Sequence, residues 1–173
     1  MSPAELLLYR LTLPAPIGQV LIVSNGHELV GLEFDEPEIR LLRLLHTRFG
    51  SGLRLRETAD LAPFSTPVQD YFAGDLHALD ALAVAAGGTA FQQRVWTALR
   101  QIPTGTTRTY GQIAVAIGSP SAARAVGLAN ALNPISLAIP CHRVIGSAGS
   151  LTGYGGGIER KRWLLEHERR GCP

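Results

Sequence analysis

Thr109-Tyr110-Gly111-Gln112-Ile113-Ala114-Val115-Ala116-Ile117-Gly118-Ser119-Pro120-Ser121-Ala122-Ala123-Arg124-Ala125-Val126-Gly127-Leu128-Ala129 is the stretch on which the architecture turns. Thr109 with Gln112 three residues later is a capping-box pattern, and it launches a short helix through about Ala116. Gly118 and Ser119-Pro120 break that helix. A second one starts near Ser121 and runs until Asn133-Pro134 stops it. Two short helices joined by a glycine-containing turn predict a helix-turn-helix. The second helix is mostly Ala and Gly, and Arg124 is its only long basic side chain. A helix that reads the major groove presents several Arg, Asn or Gln side chains to base edges. A smooth helix with one probe suits close approach to a narrow groove with Arg124 inserted, and it equally suits tight packing inside a core. The segment alone leaves both open.

Downstream, the apolar run Ile135-Ser136-Leu137-Ala138-Ile139 leads into Pro140-Cys141-His142-Arg143-Val144 and then the glycine-spaced stretch Gly146 to Gly157. A free cysteine has a pKa of ~8.5, so little thiolate exists at neutral pH unless neighbours stabilise it. The adjacent His142 is such a neighbour. A lone Cys-His pair is more often buried packing, so its surroundings decide. Upstream, Gly87-Gly88-Thr89 marks a joint, with Thr89 as N-cap of a helix over Ala90 to Gln101 that places Phe91, Val95 and Leu99 on one face.

The first half has a different grammar. Tyr9 to Leu13 alternates, Gln19 to Val23 is a short apolar run, and Asn25-Gly26 offers a hairpin turn into Leu29 to Phe34. Pro37 opens a helix over about Glu38 to Phe49, which Gly50 ends. Leu53 to Thr58 reads as a further strand, Pro63 to Phe72 as a helix ending at Gly74, and Leu76 to Val84 as the place of a last strand. Asp60, Asp70, Asp75 and Asp80 read as solvated positions rather than a metal cluster.

At 173 residues the chain fits one domain or two small ones, and 46% hydrophobic with 17% charged residues marks it as globular. Leu6-Leu7-Leu8 is broken by Tyr9-Arg10, so no leader is expected, and no run approaches the ~20 apolar residues of a membrane span. The net charge of +2 hides an asymmetry: residues 1–90 hold 6 Lys+Arg against 11 Asp+Glu, and residues 91–173 hold 10 against 3. The basic half, at +7, contains Cys141 and points to an anionic partner such as nucleic acid. Two cysteines and scattered histidines offer no zinc site, and Cys172 beside Pro173 reads as frayed tail. A reduced, cytoplasmic thiol is expected.

Taken together, Pro140-Cys141-His142-Arg143-Val144, the Arg124-Ala125-Val126-Gly127 helix, Asn133-Pro134 and the loop Thr152-Gly153-Tyr154-Gly155-Gly156-Gly157 resemble the O6-alkylguanine-DNA alkyltransferases. The likeness runs from Phe91-Gln92-Gln93-Arg94-Val95-Trp96 to Trp163-Leu164-Leu165-Glu166-His167-Glu168. It implies an α/β ribonuclease-H-like domain over 1–88 without catalytic duty, and a mostly α, winged-helix-like domain with the helix-turn-helix and the active site over 89–173. It implies DNA repair by direct reversal: one irreversible transfer of the alkyl group from O6-alkylguanine, and from O4-alkylthymine, to Cys141. It implies no cofactor and no metal.

The same resemblance distributes roles. Cys141 would be the acceptor, His142 its base acting through a water, and Glu168 the carboxylate that orients His142. Asn133 would tie the recognition helix to the active-site turn. Tyr110 would help rotate the nucleotide out and bond the flipped guanine, and Arg124 would fill the vacated stack during minor-groove binding. Tyr154 and Gly155 would border the alkyl group, with glycine in place of the serine of some relatives predicting a wider pocket. Val144 and Cys141 would offer carbonyls to the guanine amine, and Arg143 would hold the loop. The implied partner is double-stranded DNA with alkylated bases and no membrane, and the implied state a monomer, with cooperativity on DNA left open. A damage binder lacking the reactive cysteine, a transcriptional regulator and a cysteine hydrolase are the competing classes. Cys141 argues against the first and the bare second helix against the second. The hydrolase needs an oxyanion hole that no motif supplies.

Overall fold

The computed structural model describes residues 4–35 and 38–171, so the expectations placed on Pro37 and Cys172 lie outside the described residues. Strands β1 (Glu5–Leu13), β2 (Gly18–Ser24), β3 (Leu29–Phe34) and β4 (Arg54–Glu57) form one sheet in the order β3-β2-β1-β4. All neighbours are antiparallel except β1 beside β4. The register sets Leu11 opposite Val20 and Ile22 opposite Leu32.

This sheet is covered on both faces, which is why β2 and β3 read as nearly unbroken apolar runs. Helix α1 (Glu38–Phe49) lays Leu41 and Leu45 over Leu6, Leu8, Leu21, Val23 and Val30. The opposite face sends Leu11, Val20, Ile22, Leu32 and Phe34 into a second cluster with Phe64, Val68 and Tyr71 of α2 (Ala62–Ala73). Gly74 ends α2 at φ 116°, a left-handed conformation that a side chain would strain. The strand expected over Leu76 to Val84 is not formed. Ala78, Asp80 and Leu82 donate to the carbonyls of Asp75, His77 and Leu79, so the segment runs through successive tight turns, and Val84 alone bridges to Leu29. Leu76, Leu79 and Leu82 are buried nonetheless, at a spacing of three that suits turns and not a strand of period two.

The second half is mainly helical: α3 (Ala90–Arg100), the short β5 (Arg108–Thr109), α4 (Tyr110–Ala116), α5 (Ala123–Ala131), the short β6 (Val144–Ile145) and α6 (Ile158–Gly171). Both α3 and α4 begin with complete capping boxes, Thr89 with Gln92 and Thr109 with Gln112. Helix α5 begins at Ala123, two residues after the expected start, because Ala122 N–H closes a turn onto Ser119. Its small residues let one face, with Val126 and Ala129, pack closely, and Trp96 Nε1 donates to Ala129 O at 2.9 Å. The other face, with Arg124, Ala125 and Leu128, is exposed.

The two halves share a core. Val95, Leu99, Ile113, Val126, Ile135 and Leu164 join the same cluster as Val20 and Phe34. Beyond β3 the sheet gains a further stretch of backbone, because Leu32 N–H donates to Pro134 O at 3.0 Å and Ser136 N–H to Leu32 O at 2.7 Å. The segment leading to Cys141 is thereby fixed to the edge of the first-half sheet. Among the described residues no helix is long and apolar enough to cross a membrane.

Candidate active site

Asn133 organises the turn that carries Cys141. Its Nδ2 donates to Ile139 O at 2.9 Å and its Oδ1 accepts from Ile135 N–H at 2.9 Å, so one buried amide clamps both ends of the Ile135–Ile139 loop. Inside that loop Leu137 sits at φ 69°, a conformation costing about 1–3 kcal/mol for a non-glycine residue, which the clamp sustains. Cys141-His142-Arg143 then makes one tight 3-10 turn that ends in β6. Parallel pairing of β6 with β5 sets Val144 beside Arg108 and Ile145 beside Thr109, bringing Tyr110 at the start of α4 to the same side of the molecule.

His142 and Glu168 are both fully buried and meet at 2.8 Å between Nε2 and Oε1. An ionised carboxylate only accepts, so Nε2 carries the proton and the lone pair lies on Nδ1. Nδ1 has no hydrogen-bond partner among the described residues and is the nitrogen free to accept a proton. Burial pushes the imidazole down, against the pull of Glu168, and burial pushes the Cys141 thiol up, against contacts with Asn133, Arg40 and Lys161. The resting pair is therefore a neutral thiol and a neutral imidazole. For Glu168, burial opposes ionisation, but hydrogen bonds from His142 and Arg143 reverse it and hold the carboxyl well below its ordinary range.

Arg143 holds the loop, as expected. Its Nε and Nη2 each reach Glu168 at 2.9 Å, and Nη1 donates to Ile102 O at 2.7 Å. Lys161, one turn of α6 before Leu164, was not anticipated. It is buried, and Nζ donates to Val144 O at 2.6 Å and Thr152 O at 2.9 Å, closing the Gly146 to Gly157 loop onto β6. A lysine in phase with Leu164 and Glu168 on an apolar helix face was the available signal.

Cys141 lines a pocket of ≈ 240 Å³ with Tyr110, Asn130, Ser136, Tyr154 and Arg40. Tyr110 bonds Thr152 at 3.1 Å through its hydroxyl, and a Cβ on Gly127 would meet its ring at 3.8 Å, so α5 borders the pocket where it is smoothest. Arg124 lies on the exposed face of α5 and does not line the Cys141 pocket. A hollow of ≈ 510 Å³ between Val84–Gly87 and α3 is larger, but no nucleophile or carboxylate lines it.

Two first-half side chains reach this region. Tyr71 hydroxyl donates to Glu168 Oε1 at 2.8 Å. Arg40 pairs with the buried Glu33, donates to Ala131 O and, at 3.0 Å, to Asn133 O, and stands over Gly155, where a Cβ would lie 3.0 Å from its guanidinium. The space that glycine leaves at 155 is thus occupied by Arg40, and the expected widening does not follow from Gly155 alone. A charge at Glu33 within an otherwise apolar strand, and a tyrosine on the Phe64-Val68 face of α2, each called for a buried partner. Asp60 and Asp75 instead cap turns at Ala62 and His77, and Asp80 pairs with His77 at 2.9 Å.

Known proteins of two kinds are similar to this chain. The family model described as 6-O-methylguanine DNA methyltransferase, ribonuclease-like domain, matches residues 8–86, and the DNA binding domain of the same description matches residues 90–170. The methylated-DNA–protein-cysteine methyltransferase of Mycobacterium tuberculosis is 48% identical over 168 residues, 95% of this chain and 94% of that one. Its counterpart from Salmonella typhimurium is 46% identical over 155 residues, 88% and 91% of the two chains. The crystal structure of Mycobacterium tuberculosis OGT in complex with DNA superposes with a TM-score of 0.78 at 41% identity, covering 96% of this chain and 95% of that one.

Proposed function

The chain belongs to the 6-O-methylguanine DNA methyltransferase family, and from that premise we propose that it repairs DNA by moving an alkyl group from O6 of guanine to Cys141. The observation that carries this reading is Cys141 at the wall of a pocket with His142, tied to Glu168, directly behind it. The thiol gives its proton to His142 Nδ1 through a water. The sulfur attacks the alkyl carbon opposite the oxygen, the S–C bond forms as the C–O bond breaks, and guanine leaves with the electron pair and regains a proton. Glu168 stabilises the imidazolium while it lasts. The thioether has no route back, so each molecule acts once. The hydrolase alternative would require an oxyanion hole, for which no motif of the sequence provides.

The division of labour is residues 1–88, a ribonuclease-H-like module, and residues 89–173, a winged-helix-like module that binds double-stranded DNA. Helix α5 enters the minor groove with its bare face, and Arg124 fills the space of the extruded base. Tyr110 turns the nucleotide into the pocket, where the carbonyls of Cys141 and Val144 receive the guanine amine and Tyr154 and Gly155 border the alkyl group. O4-alkylthymine enters the same pocket. The protein works as a cytoplasmic monomer in this reading. Incubation with a duplex carrying one O6-methylguanine tests the reading: the wild type restores guanine, and Cys141→Ala binds the duplex yet leaves the lesion intact. Restoration by Cys141→Ala would overturn it.

A further inference from the structure

Glu168 gathers more donors than the orientation of one imidazole requires, and one of them comes from the other half of the chain. Oε1 accepts from His142 Nε2 at 2.8 Å, Tyr71 hydroxyl at 2.8 Å and Arg143 Nη2 at 2.9 Å. Oε2 accepts from Arg143 Nε at 2.9 Å and from Gly105 N–H at 3.2 Å. Tyr71 and His142 therefore share one oxygen. A carboxylate only accepts, so the phenol must donate. Burial, with Glu168 beside it, pushes the Tyr71 hydroxyl well above its ordinary range, and it remains a donor at every working pH. Its ring is fixed by edge contacts with Phe72 at 5.2 Å and His167 at 5.3 Å, and its carbonyl is bonded by His167 Nε2 at 2.8 Å.

We infer that Tyr71 is a positioning residue of the alkyl transfer: by sharing the charge of Glu168 Oε1 with His142, it sets how strongly His142 accepts the Cys141 proton. The inference rests on the proposed roles of Cys141, His142 and Glu168. Charge drawn into one strong hydrogen bond is not available to another on the same atom. Without the phenol, Oε1 is more negative toward His142 and the imidazolium is favoured, so His142 takes the Cys141 proton more readily within the neutral pair and is itself protonated from solvent at higher pH. Among the described residues, the ionisable groups that meet the Glu168–His142 pair are Arg143 from the active-site turn, Lys161 from α6, Tyr154 from the glycine loop and Tyr71 from α2. Among these, Tyr71 is the one supplied by the first half. That half thus contributes to the chemistry as well as to the core.

The test is the pH dependence of single-turnover methyl transfer from a saturating duplex carrying O6-methylguanine, in the full chain. Tyr71→Phe keeps the ring and its contacts and removes only the donor. The acid limb of its rate profile, where His142 loses its own proton and becomes able to accept that of Cys141, should shift to higher pH by about half a unit or more, with a faster plateau above it. Phe72→Leu, which loosens the same aromatic cluster without touching Glu168, should lower the melting temperature and leave the midpoint in place. Should Tyr71→Phe fold poorly, a ring-fluorinated tyrosine at 71, near-isosteric and a stronger donor, should move that midpoint downward and slow the plateau. Superimposable Tyr71→Phe and wild-type profiles, or an equal shift in Phe72→Leu, would overturn the inference while leaving the alkyl-transfer reading intact. A wild type that transfers no methyl group would overturn both.

Discussion

Cys141 and His142 are each held neutral by burial, so the nucleophile has to be made on demand. Because the thiol lies above its ordinary range, thiolate supply grows with pH. Transfer from a saturating substrate should accelerate from neutral to alkaline pH, and a flat or falling profile would contradict this. Gly155 allows a second test. Its Cβ would stand 3.0 Å from the Arg40 guanidinium, so Gly155→Ser adds bulk where Arg40 already lines the Cys141 pocket and obliges the guanidinium to shift. Benzyl transfer should then slow about tenfold more than methyl transfer, the kinetic equivalent of ~1.4 kcal/mol; equal slowing would show that Arg40 gives way freely. The family resemblance assigned roles to Cys141, His142, Asn133 and Glu168 because the motifs that carry it are runs of adjacent residues. Tyr71 and Arg40 were illegible for the opposite reason, since the bonds that bring them to the site, to Glu168 and to the carbonyls of Ala131 and Asn133, span more than ninety residues and no local pattern records that.

Helices α4 and α5 were readable because capping boxes and glycine or proline stops are chemistry of a few adjacent residues. The turns after Gly74 were not, since buried leucines at 76, 79 and 82 carry apolar content without a strand's alternation. Capping predicts a measurable effect. Thr89→Ala removes the acceptor for Gln92 N–H and should cost about 1 kcal/mol of stability with no change in methyl transfer rate. Helix α5 makes the sharper prediction. Arg124 is exposed and outside the Cys141 pocket, so Arg124→Ala should slow repair of duplex DNA by roughly tenfold or more, since base extrusion costs a few kcal/mol. Reaction with free alkylguanine should be unaffected. Equal losses on both substrates would place Arg124 in the chemistry rather than in extrusion.

One core runs through both halves, and the strand edge at β3 carries the approach to Cys141, so residues 89–173 alone should lack the active geometry. The charge division has a separate consequence. A basic half at +7 predicts DNA affinity that falls steeply with salt, whereas salt-insensitive binding would contradict a phosphate-tracking interface. Two buried carboxylates bear on acid stability with opposite signs. Glu168 lies below its ordinary value of 4.5, so its contribution is complete above that pH and is lost as pH falls beneath it. Glu33, raised by burial more than Arg40 lowers it, is costly when ionised and relaxes as it protonates. Both effects meet at a site built to be used once. The decisive measurement is intact mass of the chain after incubation with an excess of duplex carrying O6-methylguanine, alongside a count of guanines restored. One methyl group per chain, located on Cys141, with restored guanine never exceeding the protein present, is the expected result; restored guanine in several-fold excess over protein, or a methyl group elsewhere, would contradict it.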